Sequence, residues 1–351
     1  MIEILTSGVA LGVHVPGLLL ADRLRERGAR AGVSVLERLL PPEKLATTEA
    51  MKLAFHRDFR VALVGQRIAT DPVDAVRRDR LDALFAHWAE RDVRRFVVFS
   101  GYWWSIVDEY RGRHGPVEVD ACHVDSTTSP SFRNARETDA RQLWLADADR
   151  DALPATIPVS HEPQAPWERR DRALLLHGGG WGMGTYRERV GELRGAGYAL
   201  DVVAHEEADA EVSDPLVRYH LVDPAWHPWL DDGYPPLGRL RPGTPTKYTR
   251  GLRHHGSFDL MRGLMAAVSK PGGGTLLDSL WSATPLVLLE PFGDHERRNG
   301  ELWQRLGFGI TLEDWRAGGF SPDVLRRLHR ALLGAAHRVP DLCDLLLGGV
   351  R

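Results

Sequence analysis

The chain has 351 residues, more than one compact core usually organises, so two domains are expected. Apolar residues make up 43% and charged residues 26%, as in ordinary soluble globular proteins, and a net charge of −3 excludes the strongly basic surface of a bulk nucleic-acid binder. Two cysteines, Cys122 and Cys343, cannot form a disulfide framework and suit a reducing compartment, so a cytoplasmic location is expected.

The opening, "MIEILTSGVALGVHVPGLLLADRLRERG", is apolar, yet Glu3 follows Met1 closely and no basic segment precedes the apolar run. It reads as a folded element rather than a signal peptide. No stretch approaches the ~18 apolar residues of a membrane span, which leaves peripheral contact as the only membrane association expected. "IEILTS" predicts a strand, Gly8 and Gly12 a turn, and Pro16 to Arg27 a helix ended by Gly28. "VSVL" (Val33 to Leu36) predicts the next strand. Leu81, Leu84, Phe85 and Trp88 recur at helical spacing between Arg78 and Arg91. "FVVFS" (Phe96 to Ser100) and "VEVDACH" (Val117 to His123) then read as buried parallel strands.

Between about Asp147 and Arg172 the rhythm lapses into "PATIPVSHEPQAPWERRDR", proline-rich and without periodicity, which predicts a linker. Strand, glycine loop and helix then restart at "ALLLHGGGWGMGTYRERVGEL". "YALDVVAH", "VRYHLV" and "PLVLLE" are strand candidates. Helices are expected near Phe258–Leu264, Thr275–Ser282 and Arg297–Leu306, with a last one over Pro322–Leu333. The pattern is α/β throughout: two Rossmann-like domains, 1–150 and 172–351, joined by a linker over 151–171, with a C-terminal helix free to pack back on the first domain.

The stretch "SKPGGGTLLDSL" (Ser269 to Leu280) concentrates the chemistry. A glycine loop entering a helix offers unpaired backbone N–H groups and the positive end of the helix dipole to an anion. Gly272, Gly273 and Gly274 allow close approach, Thr275 offers a cap and a hydroxyl, Lys270 adds a full charge, and Asp278 lies one turn on, placed to accept from ribose hydroxyls. The order fits a nucleoside diphosphate. It is not a Walker loop, because the lysine precedes the glycines. The loop "HGGGWGMGT" (His177 to Thr185) contributes Gly179 and Gly180 to the same site, and its glycine spacing departs from the dinucleotide fingerprint, which argues against a nicotinamide enzyme.

"AVSKPGGGTLLDSLWSATPLVLLEPFGDHERRN" resembles the donor-binding region of GT-B nucleotide-sugar glycosyltransferases, most of all the lipid II-forming N-acetylglucosaminyltransferases and the monogalactosyldiacylglycerol synthases. "GVALGVHVPGLLLADRLRERG" resembles their first glycine-rich loop. The resemblance implies that Lys270 and Gly272–Thr275 hold the diphosphate. It puts Asp278, one methylene short of the family's glutamate, on the ribose, and His295 and Glu296 on the sugar hydroxyls. It makes His14 a candidate general base.

An imidazole near neutral pKa suits removal of the acceptor proton. Asp125, at a strand's C-terminal end with Asp120 and His123, is expected to support His14 or to serve as base itself. Trp103, Trp104 and His123 are expected at the acceptor, where aromatic faces pack on rings. Asp147-Ala148-Asp149 reads as a solvated acidic turn rather than a metal site, and His254-His255 as loop residues that no third ligand completes. No metal or cofactor is therefore expected. The sequence thus points to a metal-independent, inverting transferase using a UDP-sugar and a small soluble acceptor such as a natural product; transfer to a lipid, and epimerisation or hydrolysis of the nucleotide sugar, are the alternatives.

Overall fold

In the computed structural model, which describes residues 1–9, 11–68, 72–133, 139–211, 214–241 and 243–348, the apolar runs form two sheets. The first contains β1 (Ile2–Thr6), β2 (Ala31–Val35), β3 (Arg95–Val98), β4 (Glu118–His123) and β5 (Arg141–Trp144) in the order β2-β1-β3-β4-β5, every pair parallel. The second contains β6 (Asp171–His177), β7 (Ala199–Ala204), β8 (Val217–Val222), β9 (Leu237–Arg239), β10 (Leu264–Ser269), β11 (Leu286–Leu288) and β12 (Gly309–Thr311). Its order is β12-β11-β10-β6-β7-β8-β9, parallel except for the antiparallel edge strand β9. Strand order reverses at β1/β3 and at β6/β10. In open α/β sheets ligands bind beyond the carboxyl ends of strands at such reversals.

Around the first sheet lie α1 (Leu11–Glu26), α2 (Pro42–Arg57), α3 (Phe59–Ile68), α4 (Arg78–Glu90), α5 (Trp104–His114) and the single turn α6 (Pro130–Arg133). The second domain carries α7 (Val190–Gly195), α8 (Gly256–Arg262), α9 (Gly273–Ser282), α10 (Asp294–Arg305), α11 (Leu312–Ala317) and α12 (Pro322–Leu332). The last helix is therefore not α12: α13 (Leu342–Leu347) follows and packs on α1, tied by the Arg27–Asp341 ion pair and by Arg95 donating to the Leu346 carbonyl. The first helix begins at Leu11 rather than Pro16 and carries Pro16 inside it, at the cost of the bond that residue's N–H would make to the Gly12 carbonyl.

Both sheets are covered on both faces, as all-parallel strands require. One apolar cluster is shared by the domains: Leu19, Leu20 and Leu24 of α1 meet Leu276, Leu277 and Leu280 of α9. This α1–α9 contact holds the two reversal points face to face. The pair α2–α3 behaves differently. Among the described residues none of its side chains joins the apolar clusters, and only Thr48, His56 and Ala62 are buried. Among the described residues, no helix is long and apolar enough to cross a membrane.

Candidate functional site

The facing strand ends enclose a cleft of about 1650 Å³. Its floor on the second domain is the start of α9. Gly272 is the N-cap and no side chain caps that end, so the first N–H groups of the helix are left for a ligand. Thr275 is the third helical residue and not the cap expected from the sequence, because the glycines start the helix two residues earlier; it lines the cleft. The glycines have a second use. A Cβ on Gly273 would stand 2.8 Å from Val124 Cγ1 and 2.9 Å from Asp125 Oδ1, and one on Gly180 would stand 2.2 Å from Leu11 Cβ. Close approach of the first domain demands glycine at both places.

Lys270, 7% exposed, forms a buried ion pair with Glu296, 3% exposed. Glu296 Oε2 also accepts from the Phe292 N–H at 2.7 Å. Asp278 is paired too: His255 Nε2 donates to its Oδ1 at 3.1 Å, and His255 Nδ1 pairs with Ser257 Oγ at 2.7 Å. Burial opposes charge on His255, yet the Asp278 carboxylate beside it holds its pKa above the ordinary histidine value. His255, read from the sequence as a loop residue, thus belongs to the site. An aspartate 23 positions downstream gave no local signal for it.

Gly178, Gly179 and Gly180 line the cleft, with Lys270 Nζ 3.6 Å from where a Gly179 Cβ would stand. His295 lines it beside Glu296. His177, at the end of β6, accepts from the Gly179 N–H through Nδ1 at 3.2 Å, and burial lowers its pKa to about 4. On the first domain, Asp125 faces the cleft and its Oδ1 accepts from Asn299 at 2.8 Å. Asn299 also donates to the Pro271 carbonyl at 3.0 Å and accepts from the Ser126 N–H at 2.7 Å, joining β4's end to the glycine loop of the other domain. Glu37, unremarked in the sequence, is fully buried at the cleft and accepts from Ser7 Oγ and from the N–H groups of Gly8 and Val9. It fixes the β1–α1 turn. Burial raises its pKa.

Other expected site residues lie elsewhere. His14 is fully buried, does not line the cleft and makes no bond to Asp125. Its Nδ1 lies 3.0 Å from Thr6 Oγ1, its ring faces Trp226 at 6.5 Å, and Nε2 is buried without a partner. Burial, then the nearby Arg38 charge, lower its pKa to about 3. Trp103 and Trp104 belong to the core beneath the first sheet, because the chain after β3 turns inward and Trp103 donates to the Thr6 carbonyl at 2.9 Å; Tyr102 faces the cleft instead. His123 stacks on Trp144, its registered neighbour on β5, at 3.9 Å, and does not line the cleft. Asp147 Oδ1 accepts from the N–H groups of Asp149 and Arg150, forming a solvated turn. One group of potential metal ligands, His56, Glu206 and Asp209, occurs among the described residues. Arg187 already bonds Asp209 and Arg57 bonds Glu206, so these carboxylates are neutralised by guanidinium groups.

No protein-family model matches the chain, and no curated protein matches its sequence. Solved structures do resemble it. The SsfS6 glycosyltransferase of Streptomyces sp. SF2575, complexed with thymidine diphosphate, is 13% identical, with all of both chains covered and a TM-score of 0.56. The spinosyn rhamnosyltransferase SpnG is 13% identical over 99% of both chains, with a TM-score of 0.55. The calicheamicin glycosyltransferase CalG4 is 13% identical over 99% of this chain and 97% of its own, with a TM-score of 0.54. The two facing Rossmann-like domains therefore have the GT-B fold, as the motifs implied.

Proposed function

We propose that the chain transfers a sugar from a nucleoside diphosphate donor to a small-molecule acceptor of natural-product type. The observation that carries this reading is the uncapped start of α9, opening into a cleft that Lys270 and Asp278 also line. A neighbour of the same architecture holds thymidine diphosphate. The helix N-terminus and Lys270 would receive the diphosphate, and Asp278, steadied by His255, would accept from the ribose. Two ribose hydroxyls hold such a carboxylate better than one, which favours UDP over TDP. We assign His295 and Glu296, which line the cleft, to the sugar hydroxyls.

Of the two candidate bases, only Asp125 faces the cleft, and its Oδ2 is not engaged by Asn299. In the step we assign, Asp125 takes the acceptor proton while the acceptor oxygen bonds the anomeric carbon from the face opposite the leaving group. The bond from that carbon to the diphosphate oxygen breaks, and its electron pair departs with the diphosphate. Charge then grows where Lys270, shared with Glu296, and the helix dipole stand, and we assign its neutralisation to these groups rather than to a divalent cation.

The test incubates UDP- and TDP-sugars with the protein in EDTA, with and without phenolic polyketide acceptors, and follows nucleotide release and product mass. Release that requires the acceptor, with an adduct heavier by one sugar, is the expected result. Release without acceptor means a hydrolase, and rearranged donor without release means an epimerase.

A further inference from the structure

Helices α2 and α3 belong to the first domain by sequence, yet their strongest fastening is to the second. His56, 2% exposed at the end of α2, reaches the glycine loop after β6 and the turn after β7. Its Nδ1 donates to the Gly182 carbonyl at 2.9 Å and its Nε2 to the Asp209 carboxylate at 2.8 Å. Asp209 also accepts from the N–H groups of His205 and Glu206 at 2.9 and 3.0 Å, while Arg187 bonds Asp209 and donates to the His56 carbonyl at 2.6 Å.

Glycine is required at position 182. Its φ is +63°, and a Cβ there would stand 2.5 Å from His56 Nδ1 and 2.4 Å from His205 Cδ2. Phe55 packs on Trp181 of the same loop at 5.9 Å, and Arg57 forms a two-pronged ion pair with Glu206. Met51, Phe55, Val61 and Val64 of α2–α3 line the cleft.

We propose that His56 is a positioning residue that pins the first domain's α2–α3 pair to the second domain's Gly178–Gly184 loop, so that the wall of the acceptor half and the donor loop move together. Without an apolar core of its own, α2–α3 is held where its second-domain partners hold it, and local stability follows such contacts. A ligand that orders the donor loop therefore also orders α2–α3, some of which it does not touch. Released from the pin, α2–α3 opens and the loop loses a fixed carbonyl. The ligand arm of this inference rests on the proposed donor site; the pin itself does not.

Hydrogen–deuterium exchange on the full chain tests it, reading peptides from 42–68 and 178–184 for wild type, His56→Gln and Asp209→Asn, with and without UDP and TDP. His56→Gln leaves Asp209 and its bonds from the His205 and Glu206 N–H groups in place, which guards against a folding defect specific to Asp209→Asn. Without ligand, both variants are expected to exchange about tenfold or more faster than wild type over 42–68, with peptides of β1 and β3 unchanged. With a bound nucleotide, wild type should be protected in both segments and the variants only in 178–184. Equal exchange over 42–68 in wild type and both variants overturns the pin, as does ligand protection of 42–68 that survives both substitutions. If neither nucleotide binds wild type, the donor reading fails, and the ligand-free comparison decides the pin by itself.

Discussion

Glu296→Gln removes one charge from a buried pair while keeping the side chain's shape, and its effects on stability and on nucleotide binding should run in opposite directions. Lys270 and Glu296 are 7% and 3% exposed, and Glu296 is the ion-pair partner of the ammonium. Removing one partner of a fully buried pair costs about 3–5 kcal/mol. Lys270 lines the cleft rather than the apolar core, so the lower figure of about 2 kcal/mol is expected. For a protein of this size that lowers Tm by a few degrees. A diphosphate at the start of α9 meets both the freed ammonium and the loss of a like charge. At a separation of roughly 7 Å and an effective dielectric of about 20, the removed repulsion is on the order of 2 kcal/mol before screening. UDP should then bind about tenfold more tightly at low salt. Thermal melts and calorimetric titration of the same preparation read both quantities. If Tm and UDP affinity fall together, Glu296 contacts the nucleotide directly and its assignment as the keeper of Lys270 is wrong.

Asp125→Asn should lower kcat by about 10²–10⁴-fold with UDP affinity unchanged, because it removes the base and not a donor contact; His14→Gln should leave kcat within a few fold. The two variants, compared by steady-state kinetics, separate the candidates. His14 also sets a pH dependence. Its folded pKa of about 3 lies below the ordinary 6.5, so the neutral ring stabilises the fold fully above pH 6.5 and that contribution is lost as pH falls toward 3. Denaturant titrations of His14→Leu between pH 4 and 6 should show a stability slope shallower than wild type by about 1.4 kcal/mol per pH unit; parallel slopes would mean that His14 protonates freely in the folded state. Asp209 runs the same way with opposite chemistry. Burial opposes its charge, but bonds from His56 and the His205 and Glu206 N–H groups lower its pKa, so its contribution holds above the carboxylate range and is lost in acid. The stability gap between Asp209→Asn and wild type should accordingly close as melts are taken from pH 7 toward pH 2, and a constant gap would contradict that.

The strands and the glycine loops were legible because they are local. "FVVFS", "YALDVVAH" and "VRYHLV" are short runs rich in β-branched and aromatic residues, and Gly272–Gly274 sit in the strand-to-helix context that gives such loops meaning. What escaped is non-local. His255 acquires its place from Asp278, Glu37 from a turn some 30 residues away, and Asn299 from Asp125 and Ser126 in the other domain. α2 and α3 were missed since their apolar residues face a cleft and the opposite domain rather than a core, which blurs the helical stripe. Trp103 was misplaced because a 3₁₀ turn after β3 reverses the direction that a straight strand end would give it.

The central claim is that a nucleoside diphosphate rests on the start of α9 between Lys270 and Asp278. Calorimetric titration of wild type and Asp278→Ala with UDP and TDP in EDTA tests it most directly. The account predicts micromolar binding without a divalent cation, weakened by about 1–3 kcal/mol in Asp278→Ala through loss of the acceptor for the ribose hydroxyls. Binding of equal strength in the variant, or no binding of either nucleotide until a divalent cation is added, would contradict it.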